Sequence, residues 1–216
     1  MDDETLTETG LETRPAETHG KTLLIACGAL AREILAIKDM NGMDHVDLAC
    51  LPAKLHNEPQ HIPDRVRERV RRARADGYEH VHVVYADCGT GGLLDKVCEE
   101  EDVTRIAGPH CYSFFDGNEA FAERAEAGEF TAFYLTDFLA RQFDTLIWKG
   151  MGLDRHPELL PMMFGNYEKL IYLAQTEDAD LNARAEAAAE KLGLKYERRQ
   201  TGYGDLTAFM ENAAAR

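Results

Sequence analysis

The run HVHVVYADCGTGGLLDKVC, residues 80–98, passes from valine-rich apolar residues to an acid, a thiol and three glycines, then into a helical pattern. A short apolar run bounded by glycine predicts a buried strand, and the residues after it predict a helix opened by a tight loop. Working outward, the same unit recurs. TLLIAC (22–27) precedes GALAREILAIKDMNG, apolar at helical spacing and closed by Asn-Gly. VDLACL (46–51) leads through the proline-containing PAKLHNEPQHIP into an arginine-rich helix that stops near Asp76-Gly77, and TRIAG (104–108) is a fourth strand. Strand alternating with helix predicts an α/β fold. Its sheet is expected to be mostly parallel and doubly wound, Rossmann-like, with helices on both faces.

The second half is less regular. EFTAFYLT (129–136) and YEKLIYLAQ (167–175) read as strands, DADLNARAEAAAEKLGL as a helix, KYERRQTGYG as an edge strand and DLTAFMENAAA as a last helix. Between them LIWKGMGLDRHPELLPMMFGN fits no regular pattern and reads as a segment folding over a site. With no clear linker and no repeat, residues 21–216 are expected to form a single α/β domain, two-lobed at most. Residues 1–20, acidic and threonine-rich, are expected to be a disordered tail.

A formal net charge of -15 argues against a nucleic-acid partner and against an anionic membrane surface, because both need a basic patch. The dense basic stretch RVRERVRRARA (65–75) alternates with apolar residues at helical spacing and reads as a solvated helix face. No window approaches the roughly 18 uninterrupted apolar residues of a membrane span. The amino end also lacks the basic start and apolar middle of a signal peptide, so a cytoplasmic, reducing compartment is expected. Five cysteines in that setting need an explanation from packing, metal binding or redox chemistry rather than from structural disulfides.

Position narrows the choice. Cys27 closes the first strand, Cys50 lies near the end of the second, Cys88 follows the third and Cys111 follows the fourth in GPHCY. In a parallel sheet these ends share one edge, the edge where open α/β sheets gather ligands. Cysteine also packs as a small hydrophobe, and Cys50 and Cys98 are read that way. Cys27, Cys88 and Cys111 each stand beside a glycine or histidine in a loop. With His56 or His110 they make a candidate set for tetrahedral zinc, for iron, or for an iron–sulfur centre. Asp87, Gly89, Thr90 and Gly91 form a candidate ligand-binding loop, in which Asp87 either backs a ligand or caps the turn. Nucleotide binding is disfavoured, since neither G-x-G-x-x-G nor G-x-x-x-x-G-K-[ST] is present. Arg155 and His156 in LDRHPEL are either a lid facing the thiol edge or a surface helix start with Pro157 in its first turn.

The stretches LIACGALAREI, LHNEPQHIPDRV, YADCGTGGLLD, GPHCYSFFDG, YLTDFLARQFD, GLDRHPELLPMMFGNYEKLIYLAQ and TGYGDL together resemble the DUF1638 family, over nearly the whole chain after the acidic tail. The DCGTGG and GPHCY stretches are the most specific of these. Members tend to be encoded near corrinoid-dependent methyltransferase components, so the resemblance implies a place in one-carbon or methylamine metabolism and a corrinoid protein or methyltransferase component as partner. It implies no mechanism. The function expected from these residues is a metal-binding protein, with zinc or iron at the Cys/His set, acting in or assisting corrinoid-linked methyl transfer. The alternatives are a metal-free enzyme with Cys88 as nucleophile and His56 or His110 as base, and a non-catalytic escort of a corrinoid protein. The residues leave turnover and self-association to form a homo-oligomer open.

Overall fold

The computed structural model describes residues 2–13 and 22–215. The chain divides into two compact units, Met1–Cys111 with Asp205–Arg216, and Tyr112–Gly204; the sequence pattern led to one domain with room for two lobes. Among the described residues the strands form one sheet of five and one of three.

In the first unit the central strand is β2 (Thr22–Cys27), buried at all six positions. An unbroken buried apolar run is what a strand covered on both faces requires. After β2 come helix α2 (Ala31–Asn41) and strand β3 (Val46–Leu51), which pairs with β2 on one flank. Helix α3 (Ile62–Ala75) then carries the chain to the other flank, where β4 (His80–Val84) pairs with β2. Helix α4 (Leu93–Glu100) leads on to the two-residue β5 (Thr104–Arg105) beside β4. All four strands are parallel, and the chain reverses its direction of travel at β2, so the carboxyl ends of β2 and β4 stand next to each other at the reversal. Ala26 is in register with both Cys50 and Val84, which sets Cys27 one residue beyond that row.

Helix α3 explains the basic stretch. Ile62, Val66, Val70 and Ala73 form its buried stripe. The arginines on its other faces meet acids: Arg67 reaches Glu100, Arg71 holds the nearly buried Glu101 at 2.7 Å, and Arg72 reaches Glu12. A last helix, α10 (Asp205–Ala214), packs on α2.

The N-terminal stretch departs from the expected disordered tail. Residues Asp3–Glu8 form helix α1, capped by the Asp2 carboxylate, and Leu11–Glu12 form β1, antiparallel to β3. Composition pointed to disorder, but Leu6 is fully buried and supplies the apolar anchor. Two glycines let the backbone come this close. A Cβ on Gly10 would lie 2.0 Å from the Cys50 carbonyl oxygen, and one on Gly28 would lie 2.3 Å from that of Leu6. Residue 1 and residues 14–20 of the expected tail lie outside the described residues.

The second unit opens with short helices α5 (Ser113–Asp116) and α6 (Asn118–Glu126). Strands β6 (Ala132–Leu135), β7 (Lys169–Ala174) and β8 (Lys195–Gln200) come next, all parallel and in that order across the sheet. Helix α7 (Asp137–Arg141) follows β6, helix α8 (Leu160–Phe164) precedes β7, and helix α9 (Ala179–Leu192) joins β7 to β8. The unassigned stretch after α7 becomes a π-helical turn over Phe143–Lys149 and a 3-10 turn over Pro157–Leu159 before α8. As expected β8 is an edge strand, and its exposed charged residues discourage further pairing. Asp137, buried at the end of β6, accepts hydrogen bonds from the Tyr172 hydroxyl, the Gln175 N–H, and the N–H and hydroxyl of Thr176. It ties the end of β6 to the end of β7. Among the described residues no helix is long and apolar enough to cross a membrane.

Asp137 satisfies four donors, and Asp137→Ala strands the two on the buried Tyr172 and Gln175. The expected loss is about 3 kcal/mol from the second unit, read from urea unfolding followed by the fluorescence of Trp148, the chain's one tryptophan.

Candidate thiol site

Past Val84 the strand direction continues through the buried Tyr85 and Ala86 to Asp87 and Cys88. Backbone pairing continues too. The Ile106 N–H donates to the Val83 carbonyl, Asp87 N–H to that of Gly108, and Cys88 N–H to that of Pro109, each at 3.0 Å. The loop after β4 is thereby zipped to the loop after β5. The zipping brings Cys88 Sγ within 3.0 Å of Cys111 Sγ, with both thiols free. Cys88 holds a left-handed backbone with φ of 50°. A side-chain-bearing residue there costs on the order of 1 kcal/mol, which the surrounding bonds must offset.

The glycine loop is built around one carboxylate. Asp87 Oδ1 accepts from the Thr90 hydroxyl and the Gly92 N–H at 2.8 Å, and Oδ2 from the Gly91 N–H at 3.2 Å. Gly91 and Gly92 both have positive φ, so the chain winds back on itself in a way few other residues allow. Burial works to raise the Asp87 carboxyl, but the N–H groups and the Thr90 hydroxyl together hold it below the usual range. Of the expected ligand-binding loop, the Thr90 hydroxyl and the Gly91 amide are therefore turned inward onto Asp87. Asp87 makes the hydrogen bonds of a turn cap.

Around the sulfur pair the environment is mixed. Hydrogen bonding from the Cys111 thiol lowers the pKa of Cys88 against the opposing effect of burial, and N–H groups of the loop add to the lowering. Donating that hydrogen bond, together with burial, raises Cys111, so of the two thiols Cys88 is the one that gives up its proton more readily. Cys27 lies close enough to interact with both sulfurs, and burial pushes it up to about 12. Beside it stands the Tyr85 hydroxyl, fully buried and without a hydrogen bond of ordinary geometry. Cys50 is buried behind Cys27, and burial raises it as well. Cys98 sits apart in α4 near Arg105 and Asp95, as a packing residue should.

His56 and His110 are electrostatic neighbours of each other, and His110 also of Asp87. Dense surroundings lower both pKa values, and for His56 the neighbouring His110 adds to the effect. Both residues keep an exposed outer surface, and solvent limits the lowering. The expected five-residue set thus falls into a sulfur cluster, Cys27, Cys88 and Cys111, and a histidine pair. Among the described residues no three or more His, Cys, Asp or Glu side chains are arranged to hold a metal ion. Arg155 and His156 belong to the second unit, where they are exposed and meet Asp154 and Glu158. Pro157 opens the 3-10 turn beside them.

A family profile matches residues 50–210, about three-quarters of the chain, and its description reads DUF1638, protein of unknown function. The chain belongs to the DUF1638 family. The DUF1638 match takes in Asp87, Cys88, Cys111, His56 and His110, and begins after Cys27. Comparison with curated proteins and with solved structures found no match. Sequence reasoning missed Tyr85. Its one signal is a tyrosine near the end of the buried run HVHVVYA.

If Asp87 is what shapes the loop, Asp87→Ala should expose the Gly91 and Gly92 amides to faster hydrogen exchange. The first unit should lose about 1–2 kcal/mol, while Asp87→Asn, which keeps one acceptor oxygen, should lose less.

Proposed function

We propose that this DUF1638 protein is a thiol enzyme whose nucleophile is Cys88, set in the crevice of a doubly wound, Rossmann-like first unit. The observation that carries the reading is the 3.0 Å approach of the two free thiols beyond the end of β4. A sulfur that receives its neighbour's S–H loses its own proton more readily, giving the thiolate that attacks electrophiles. In this reading Cys111 is the donor that keeps the charge on Cys88. Tyr85 and Cys27 close the buried side, and a neutral His110 or His56 is the base that takes up a proton. Reversal of strand order at β2 supports the placement, because ligands of doubly wound sheets collect where the order reverses.

A second reading is favoured by the gathering of three sulfurs on one sheet edge. Cys27, Cys88 and Cys111, joined by His56 or His110, are not arranged to hold a metal ion as they stand, so this reading needs the side chains to rearrange around zinc or iron, which soft thiolates suit. Either reading fits the corrinoid-linked methyl-transfer setting that the family resemblance implies, with a corrinoid protein or methyltransferase component as partner. Thiolates accept alkyl groups and bind soft ions alike.

Alkylation separates the two. With Cys88 lowered, iodoacetamide should modify it first, with a pH midpoint below that of a free cysteine; Cys111→Ala removes the donor and should move that midpoint up. Uniform, ordinary reactivity of all five thiols would remove the thiol-enzyme reading. Metal measured in protein purified without additions, lost on Cys88→Ser and kept on Cys98→Ser, would establish the second.

A further inference from the structure

We propose that Cys88 and Cys111 form a reversible intramolecular disulfide by exchange with a disulfide-containing substrate, making this edge a two-electron dithiol–disulfide centre. The proposal rests on the same pair of thiols as the nucleophile reading and names the substrate class it would serve. Three observations carry it, all geometric. The sulfurs stand 3.0 Å apart, about 1 Å beyond a disulfide bond of ~2.05 Å, so closure needs only a small side-chain movement. The loops that bear them are already joined through Asp87 to Gly108 and Cys88 to Pro109, so the backbone has no gap to close although the cysteines are 23 residues apart. The third is access. Cys88 and Cys111 are the two cysteines with partial exposure, and the neighbouring Gly89 and His110 are open to solvent, whereas Cys27, Cys50 and Cys98 are buried.

The chemistry balances without any group beyond the named substrate. The Cys88 thiolate attacks one sulfur of RS–SR, the S–S bond breaks, and RS⁻ leaves and takes a proton. A mixed disulfide now joins Cys88 to R. Cys111 gives up its proton and attacks Cys88 Sγ, the second RS⁻ leaves and is protonated, and the internal disulfide forms. Two electrons pass from the protein pair to RS–SR, which becomes two RSH. The reverse sequence reduces the pair. Cys111 is nearest to resolve the mixed disulfide, and Cys27 lies behind both with its sulfur buried.

The test uses the full-length chain in glutathione redox buffers of stepped composition, quenched in acid, alkylated and mapped by mass spectrometry. The expected result is a single two-electron transition that yields a Cys88–Cys111 linkage and leaves the other three thiols reduced. In Cys111→Ser the glutathione adduct on Cys88 should persist at least tenfold longer than in the unaltered chain, and Cys98→Ser should match the unaltered chain. The proposal is overturned if the unaltered chain stays reduced across the whole range with and without a chelator, if it stops at a glutathione adduct, or if the linkage formed is Cys27–Cys88. Failure of the nucleophile reading looks different: a Cys88 that alkylates at the ordinary rate and yet forms the internal disulfide would remove that reading and leave this one.

Discussion

Backbone pairing between β4 and β5 does not stop where the strands do. It runs on through Asp87 and Gly108 to Cys88 and Pro109, and everything distinctive about the thiol edge depends on that continuation. Without it the two cysteines would sit on independent loops, and a contact of 3.0 Å between them would be one of many arrangements. With it, the sulfur pair is an extension of the sheet. Positions built on sheet backbone are held more tightly than positions on free loops, which suits a pair whose chemistry is set by a fraction of an ångström.

The glycine loop serves that same purpose. An acid followed by glycines before a helix is also how many phosphate cradles are written, and in those the amides face outward. Here the carboxylate of Asp87 already fills the concavity and gathers the Thr90 hydroxyl with the amides of Gly91 and Gly92. An anion is present, but it belongs to the protein. The loop turns sharply enough to leave Cys88 at its lip in a left-handed conformation, facing Cys111.

Much of the first unit was legible from sequence because burial leaves a clear signature. The buried run of β2, the buried stripe on α3, and the placement of Cys27 at a strand end with Cys88 and Cys111 past strand ends all follow from hydrophobic periodicity and parallel topology. What was not legible concerns features periodicity does not encode. Leu6 is one apolar residue in an acidic stretch, and its burial depends on close backbone approach at Gly10 and Gly28. The inward turn of Asp87 depends on φ angles, and the partnership of His56 with His110 on how a 3-10 turn lands against another loop. Two lobes were allowed for, but the boundary at Cys111 and Tyr112 has no linker composition to mark it.

The amino-terminal cover on β3 bears on assembly. β1 takes up the outer edge of β3 at Ala49 and Cys50, and Thr13 continues it by binding both the N–H and the carbonyl of Leu48. The acceptor for that N–H is the threonine hydroxyl, so a side chain finishes what two strand residues begin. At the opposite side of the same sheet β5 offers two residues of edge. Growth of this sheet by a strand from another molecule is therefore blocked by the chain's own amino end on one side and starved of length on the other, which directs any self-association of the first unit to helix faces and loops.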